Sequence, residues 1–153
     1  MYKRQHCGPG IKAGEHEFIP FVLNMPALFE SFVAEWLRAN IPGNMHLTPQ
    51  YRASLDKSGS FSFRIDLVLH DVNSDRVLAV LDTKYKRHHD PEESDIQQIV
   101  AYAVRMNTKN AFLIYPSSTT KSVTLHVGDV CVRSLTFDVG IDPDEGGLSL
   151  IHI

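Results

Sequence analysis

Two acidic residues and a lysine are spaced as metal-assisted chemistry on a phosphate would require. Asp82 and Lys84 are two residues apart in LDTKYK, so on a strand their side chains point to the same face. Asp66 lies on the preceding strand-like segment, RIDLVL. If the hairpin between them turns around Asn73, position 66 pairs near position 80. Asp66 is then a diagonal neighbour of Asp82, within reach of a shared ion.

These side chains suggest a divalent cation. Neighbouring carboxylates repel each other unless a cation or a proton intervenes, and oxygen ligands suit Mg²⁺ or Mn²⁺. A metal held by Asp66, Asp82 and the backbone carbonyl of Thr83 could polarise a scissile phosphate and activate a water. Lys84 could orient or deprotonate that water, or balance charge on the phosphate. The alternative is a structural Asp–Lys pair at a strand end, because D-x-K is a common motif.

Residues on two predicted helices could complete this site. Glu30 lies at the edge of an apolar helical stripe, from which it could reach the sheet as an extra ligand or remain a surface glutamate. On the second helix, Asp95, Gln98 and Tyr102 share one face by i, i+3 and i+4 spacing. We expect Gln98 and Tyr102 to be partly buried near the sheet. Their partners there are a phosphate, a metal-bound water or another side chain of the core.

A short basic segment follows the D-x-K motif. Lys86 and Arg87 leave the site directly and could bind a phosphate backbone, whereas His88 and His89 are better explained as solvated loop residues. The chain as a whole has a net charge of −3, which does not favour an unassisted nucleic-acid binder. A local basic patch can nevertheless meet phosphate.

Length and composition indicate one globular domain. The chain has 153 residues, of which 43% are hydrophobic and 22% charged. It has two cysteines outside any paired motif, no apolar run long enough for a bilayer and no apolar signal segment at its start. We therefore expect a cytoplasmic protein without membrane association. We divide the chain into an irregular lead-in over 1–20, a central domain over 21–138 and a tail over 139–153.

Hydrophobic periodicity predicts an α/β fold. A helix capped by Asn24, with Pro26 in its first turn, should end near Asn40. A second helix should start at Asp90 as N-cap. Strands are predicted over 46–55, 61–70, 77–86, 111–116, 122–127 and 130–137, so the order begins α-β-β-β-α-β, a mixed sheet flanked by helices.

Asp66, LDTKYK and QIVAYA together resemble the PD-(D/E)xK nuclease superfamily, including the Q-x-x-x-Y element of its RecB-like branches. The ordered series NMPALFESFVAEWL, RIDLVL, LDTKYK, DIQQIVAYA and AFLIYP is similar to the nuclease domain of McrC, the cleavage subunit of McrBC modification-dependent restriction systems. The resemblance runs from about residue 21 to residue 116.

This resemblance implies a restriction-endonuclease-like core and Mg²⁺-dependent hydrolysis of DNA. Asp66 and Asp82 would hold metal, Lys84 would be the catalytic lysine and Glu30 would assist, while Gln98 and Tyr102 would support the site or contact DNA. Ile65 stands where the motif usually has proline, a residue without a chemical role.

The resemblance also implies a partner, the GTP-driven AAA+ motor McrB, to which the family assigns recognition of 5-methylcytosine. We see no segment of this chain that would dock the motor. Cutting both DNA strands needs two active sites, so two copies could pair. The alternatives are another nuclease of the same fold, a RecB-like exonuclease or a junction resolvase, and a non-catalytic DNA-binding or assembly module.

Overall fold

The computed structural model describes residues 22–86, 91–116, 122–140 and 147. These residues form two helices and six strands in the predicted α/β order. The elements are α1 (Met25–Asn40), β1 (Met45–Ser54), β2 (Ser62–Asp71), β3 (Val77–Thr83), α2 (Glu93–Arg105), β4 (Asn110–Tyr115), β5 (Thr124–Val127) and β6 (Val130–Thr136).

All six strands belong to one mixed sheet with the order β1-β2-β3-β4-β6-β5. The first three strands form an antiparallel meander. β4 lies parallel to β3 and β6 lies parallel to β4, while β5 pairs with β6 as an antiparallel hairpin. The crossover from β3 to β4 contains α2, as a parallel connection requires. The predicted fold class, an α/β sheet with a restriction-endonuclease-like α-β-β-β-α-β core, is confirmed.

Helix α1 begins and ends where the sequence predicts. The side chain of Asn24 accepts a hydrogen bond from the amide of Ala27 at 3.2 Å, and Pro26 lies in the first turn. After Asn40, Ile41 takes an extended conformation, which the following Pro42 favours. The apolar stripe is only partly buried: Phe29, Val33, Trp36 and Leu37 are buried, but Met25, Leu28 and Phe32 are exposed.

Helix α2 begins later than predicted. Its N-cap is Glu92, whose side chain accepts from the backbone of Asp95, while the Asp95 side chain accepts from the backbone amide of Glu92. This reciprocal arrangement satisfies two amides that a helix start leaves without partners. The predicted cap, Asp90, lies outside the described residues. The spacing of the apolar residues predicts one buried face on this helix. Ile99 and Ala103 are fully buried there, and Ile96, Val100 and Met106 pack beside them.

The sheet separates two hydrophobic cores. One core joins α1 to residues of β1 to β4 and to Phe137, and the other joins α2 to the opposite face of the sheet. Successive residues of the central strands alternate between the cores: Leu81 packs on the α1 side and Val80 on the α2 side. The segment VLAVL is apolar on both faces, which predicts a central strand, and the centre of β3 is buried.

Strand β2 departs from simple alternation at Asp66. Strict alternation along FSFRIDLVLH predicts that Phe61, Phe63, Ile65, Leu67 and Leu69 share one face. However, Phe63 and Ile65 pack in the α2-side core, whereas Leu67 and Leu69 pack in the α1-side core. The prediction was wrong because the strand changes face between Ile65 and Leu67. On the neighbouring strand β1, Gln50 has a left-handed backbone with φ of 53°.

Candidate active site

Asp66 and Asp82 lie opposite each other at the end of the β2–β3 ladder. Leu67 pairs with Leu81 and Val68 with Val80, so the register extended by one residue sets Asp66 against Asp82. The predicted pairing of position 66 near 80 was wrong by two residues, since His70 pairs with Val77, which centres the turn just after Asn73, and the ladder carries an irregularity between Leu69 and His70. Because side chains alternate between the two faces of a strand, a shift of two residues keeps each aspartate on the same face. The two aspartates therefore remain close together.

The carboxylate of Asp66 is held against the end of β3. Its Oδ2 accepts hydrogen bonds from the backbone amide of Thr83 at 2.9 Å and from the Thr83 hydroxyl at 3.1 Å. These bonds fix Asp66 at the point where β2 changes face. The expected role of the Thr83 carbonyl as a metal ligand stays a prediction.

Asp82 is the most strongly perturbed acid of the site. Its side chain is 95% buried. Burial and the nearby charge of Asp66 raise its pKa to about 6, although Lys84 acts in the opposite direction. Its buried Oδ2 lies 2.7 Å from the Lys84 ammonium, with which it forms an ion pair. An additional cation would stabilise this carboxylate.

Lys84 follows the last residue of β3, and its backbone amide continues the ladder by donating to the carbonyl of Ile114 at 2.8 Å. Its ammonium contacts Asp82 and donates to the Gln98 side chain at 2.9 Å, with Asp95 at 3.6 Å. Burial alone would lower the pKa of Lys84, but the carboxylates around it raise the pKa above its usual range. Lys84 is therefore a cation at neutral pH.

Glu30 approaches the aspartates from α1. It is half-buried, and its pKa is raised by burial and by the charges of Asp66 and Asp82. Its carboxylate accepts a hydrogen bond from the side-chain amide of Gln50. The charges of the two aspartates thus act on Glu30, whose role as a metal ligand stays a prediction. Gln50 was not singled out from the sequence, because a polar residue on a half-exposed strand carries no signal of its own.

Gln98 and Tyr102 approach from α2. The Gln98 amide donates to the Tyr102 hydroxyl at 2.6 Å, while its carbonyl oxygen receives the Lys84 ammonium. Burial and the nearby Asp82 and Asp66 raise the pKa of Tyr102, and the hydrogen bond from Gln98 partly offsets this. Tyr102 is buried as expected, whereas Gln98 is exposed rather than partly buried. The helical spacing placed both residues at the site.

Asp95 forms a buried anionic support behind Lys84. It is 4% exposed and accepts hydrogen bonds from the Lys86 ammonium at 3.1 and 2.9 Å. Lys86 also pairs with Glu92 at 2.9 Å, so its charge is directed into the protein and joins the D-x-K segment to α2. Asp95 was placed on the correct helix face by sequence but was given no role. Arg87, His88 and His89 lie outside the described residues.

The oxygen ligands at this site suit a Mg²⁺ ion with few protein ligands better than a structural transition metal. Among the residues that the structure describes, no three His, Cys, Asp or Glu side chains converge into a ready-made metal cage. Mg²⁺ does not need one, since it is usually bound by one or two carboxylates together with waters and substrate phosphates. The opposed Asp66 and Asp82, whose charges act on each other, supply such a pair.

The fold and this site define an α/β domain with a restriction-endonuclease-like core, whose acidic residues and lysine meet where β2 and β3 end between two helices. The chain belongs to the family of McrBC 5-methylcytosine restriction system components, whose family model matches residues 4–116. It is thus a component of a modification-dependent restriction system, of the McrC type that the sequence resembles. No curated protein matches the chain. Within the described ranges, no helix has the length and apolarity to cross a membrane.

Proposed function

We propose that this chain is the DNA-cleaving component of its restriction system, a Mg²⁺-dependent endonuclease that hydrolyses phosphodiester bonds. The observation that carries the proposal is the opposition of Asp66 and Asp82 beside the cationic Lys84. A structural ion pair between Asp82 and Lys84 would not need a second carboxylate. The charge of Asp66 raises the pKa of Asp82 and therefore makes the ionised form of Asp82 less favourable.

Asp66 and Asp82 would hold the Mg²⁺, with Glu30 and the backbone carbonyl of Thr83 as further oxygen donors. When bound, the ion would polarise the scissile phosphate and favour ionisation of a water. The chain would fix its own ligands in advance. Asp66 is oriented by two hydrogen bonds from Thr83, and Asp82 lies on the buried part of β3 and pairs with Lys84.

Lys84 would stabilise negative charge that develops on the phosphate. The carboxylates around it keep it protonated, which suits a charge-balancing group better than a general base. Gln98 orients the ammonium and is in turn fixed by Tyr102. Such preorganised donors are effective because they do not have to reorient as charge develops.

Two partners follow from this proposal. DNA would be the substrate, and an McrB-type GTP-dependent motor would select methylated sites, as membership of the McrBC family implies. Lys86 is engaged by Asp95 and Glu92, so it supports the site rather than meeting the DNA backbone. Two copies acting together would cut both strands.

The test is cleavage of a circular plasmid carrying 5-methylcytosine, with Mg²⁺ and with or without an McrB-type partner and GTP. We expect Mg²⁺-dependent nicking or linearisation, greatest with the partner, and none with Asp82→Ala. Asp129→Ala, at an exposed site away from the sheet end, is the matched control. Cleavage undiminished by Asp82→Ala would refute the assignment, and activity restricted to linear DNA would favour an exonuclease.

A further inference from the structure

We infer that Gln50 is a positioning residue that holds the Glu30 carboxylate on the side of α1 that faces the metal site of Asp66 and Asp82. The inference rests on the proposed function, because it concerns the ligand set of the same ion. Three separate observations bear on it: the backbone conformation of Gln50, its place in the sheet and its side-chain contact.

The backbone of Gln50 is unusual for its setting. It has a φ of 53° in the middle of β1, which spans Met45–Ser54. A residue with a Cβ rarely adopts the left-handed region, and least of all within a strand. Such conformations persist where the surrounding structure enforces them, and they concentrate at functional sites. Nothing in the hydrophobic pattern of β1 explains the outlier.

Gln50 stands in line with the two aspartates across the sheet. Pro49 pairs with Leu67 and Tyr51 with Ile65, so the register sets Gln50 opposite Asp66. Asp66 in turn lies opposite Asp82. The left-handed residue therefore coincides with the position at which β2 changes face, so that both strands depart from regular geometry beside the acidic site.

The side chain of Gln50 links this distortion to α1. Its amide donates to the Glu30 carboxylate, and α1 packs over β1 and β3. Glu30 is on a helix and has several accessible rotamers, so without a partner its carboxylate would be free to turn to solvent. A donor on β1 restricts it to the side of the helix that faces Asp66 and Asp82. An amide suits this task, since it fixes a carboxylate without adding a charge that competes with a cation.

The test compares the Mn²⁺ affinities of three single-substitution variants and the unmodified chain. Isothermal titration calorimetry measures each affinity in the absence of DNA. Gln50→Gly and Gln50→Asn keep a residue that tolerates the left-handed backbone but remove or shorten the donor. We expect both to weaken Mn²⁺ binding about tenfold, as loss of an outer partner of a metal ligand commonly does. Their thermal unfolding midpoints should equal or exceed that of the unmodified chain. Thr48→Ala, on the same strand, should change neither quantity.

A double-mutant comparison then separates positioning from general damage. If Gln50 acts through Glu30, adding Gln50→Asn to Glu30→Gln should weaken Mn²⁺ binding no further than Glu30→Gln alone. Unchanged Mn²⁺ affinity in Gln50→Gly and Gln50→Asn, or losses that add fully in the double variant, would overturn the positioning role of Gln50. Neither result would contradict the proposed metal site. Absence of Mn²⁺ binding by the unmodified chain would instead overturn the proposed metal site, and the positioning role with it.

Discussion

The ammonium of Lys84 lies 2.7 Å from the Oδ2 of Asp82, yet the pKa of Asp82 is raised to about 6. An isolated ion pair would lower the pKa of its acid. Here burial, followed by the charge of Asp66, outweighs the lysine, so the buried carboxylate is poorly stabilised as an anion in the metal-free chain. A bound divalent cation would stabilise this anion, and the following predictions depend on this electrostatic balance.

Asp82→Asn should abolish cleavage and stabilise the metal-free protein at pH 8. Asparagine has the same shape and removes the cost of a buried charge, so we expect a gain of roughly 1–3 kcal/mol in the free energy of unfolding, or several degrees in the unfolding midpoint. Differential scanning calorimetry of both proteins in the presence of a chelator measures the change in the unfolding midpoint. Asp129→Asn, on an 85% exposed side chain, is the control. Destabilisation by Asp82→Asn would contradict the electrostatic account.

The stability of the metal-free chain should fall as pH rises from about 4 to 6. The pKa of Asp82 is about 6 in the folded state against an ordinary value of 3.8, so the folded state binds the proton more tightly than the unfolded state. The stabilising contribution is full below pH 3.8 and is lost as pH approaches and passes 6. It amounts to about 3 kcal/mol at most. Urea unfolding across this range should show the decline, and Asp82→Asn should reduce it.

Lys84→Ala should lower the cleavage rate by at least about 100-fold, as removal of one preorganised charge-stabilising group does. It should not weaken Mg²⁺ binding, because the lysine competes with the metal for Asp82. Single-turnover cleavage and metal titration give the two quantities, with Lys109→Ala as a surface control. A parallel loss of metal affinity would indicate that Lys84 organises the ligands rather than the reaction.

Lys86→Ala should destabilise the fold by about 2 kcal/mol, since it leaves the buried Asp95 with a poorer partner. The slope of the logarithm of DNA affinity against the logarithm of salt concentration should not change. Loss of a phosphate contact would instead reduce the magnitude of this slope by about 0.9. Unfolding measurements and DNA titrations at several salt concentrations provide the comparison. A reduced slope would restore the DNA-binding role expected from the sequence.

The local signals for the helices and strands could be read from the sequence. Asn24 and Pro26 fix the start of α1, and the double-sided apolar segment before Asp82 predicts a central strand, because capping and hydrophobic periodicity act over a few residues. The α2 start was misplaced because Asp90 and Glu92 are both acceptable caps, and only the reciprocal contact between Glu92 and Asp95 distinguishes them.

By itself, the sequence determined the chemical types present: two acids and a lysine on neighbouring strands, with Gln98 and Tyr102 on one helix face. Only the tertiary structure decided that Asp66 opposes Asp82 directly, since this register depends on the turn and on an irregularity within the ladder. It also decided that Lys86 serves Asp95 and that Gln50 meets Glu30. These contacts join residues far apart in the chain, and they depend on how α1 and α2 pack against the sheet, which no local pattern encodes.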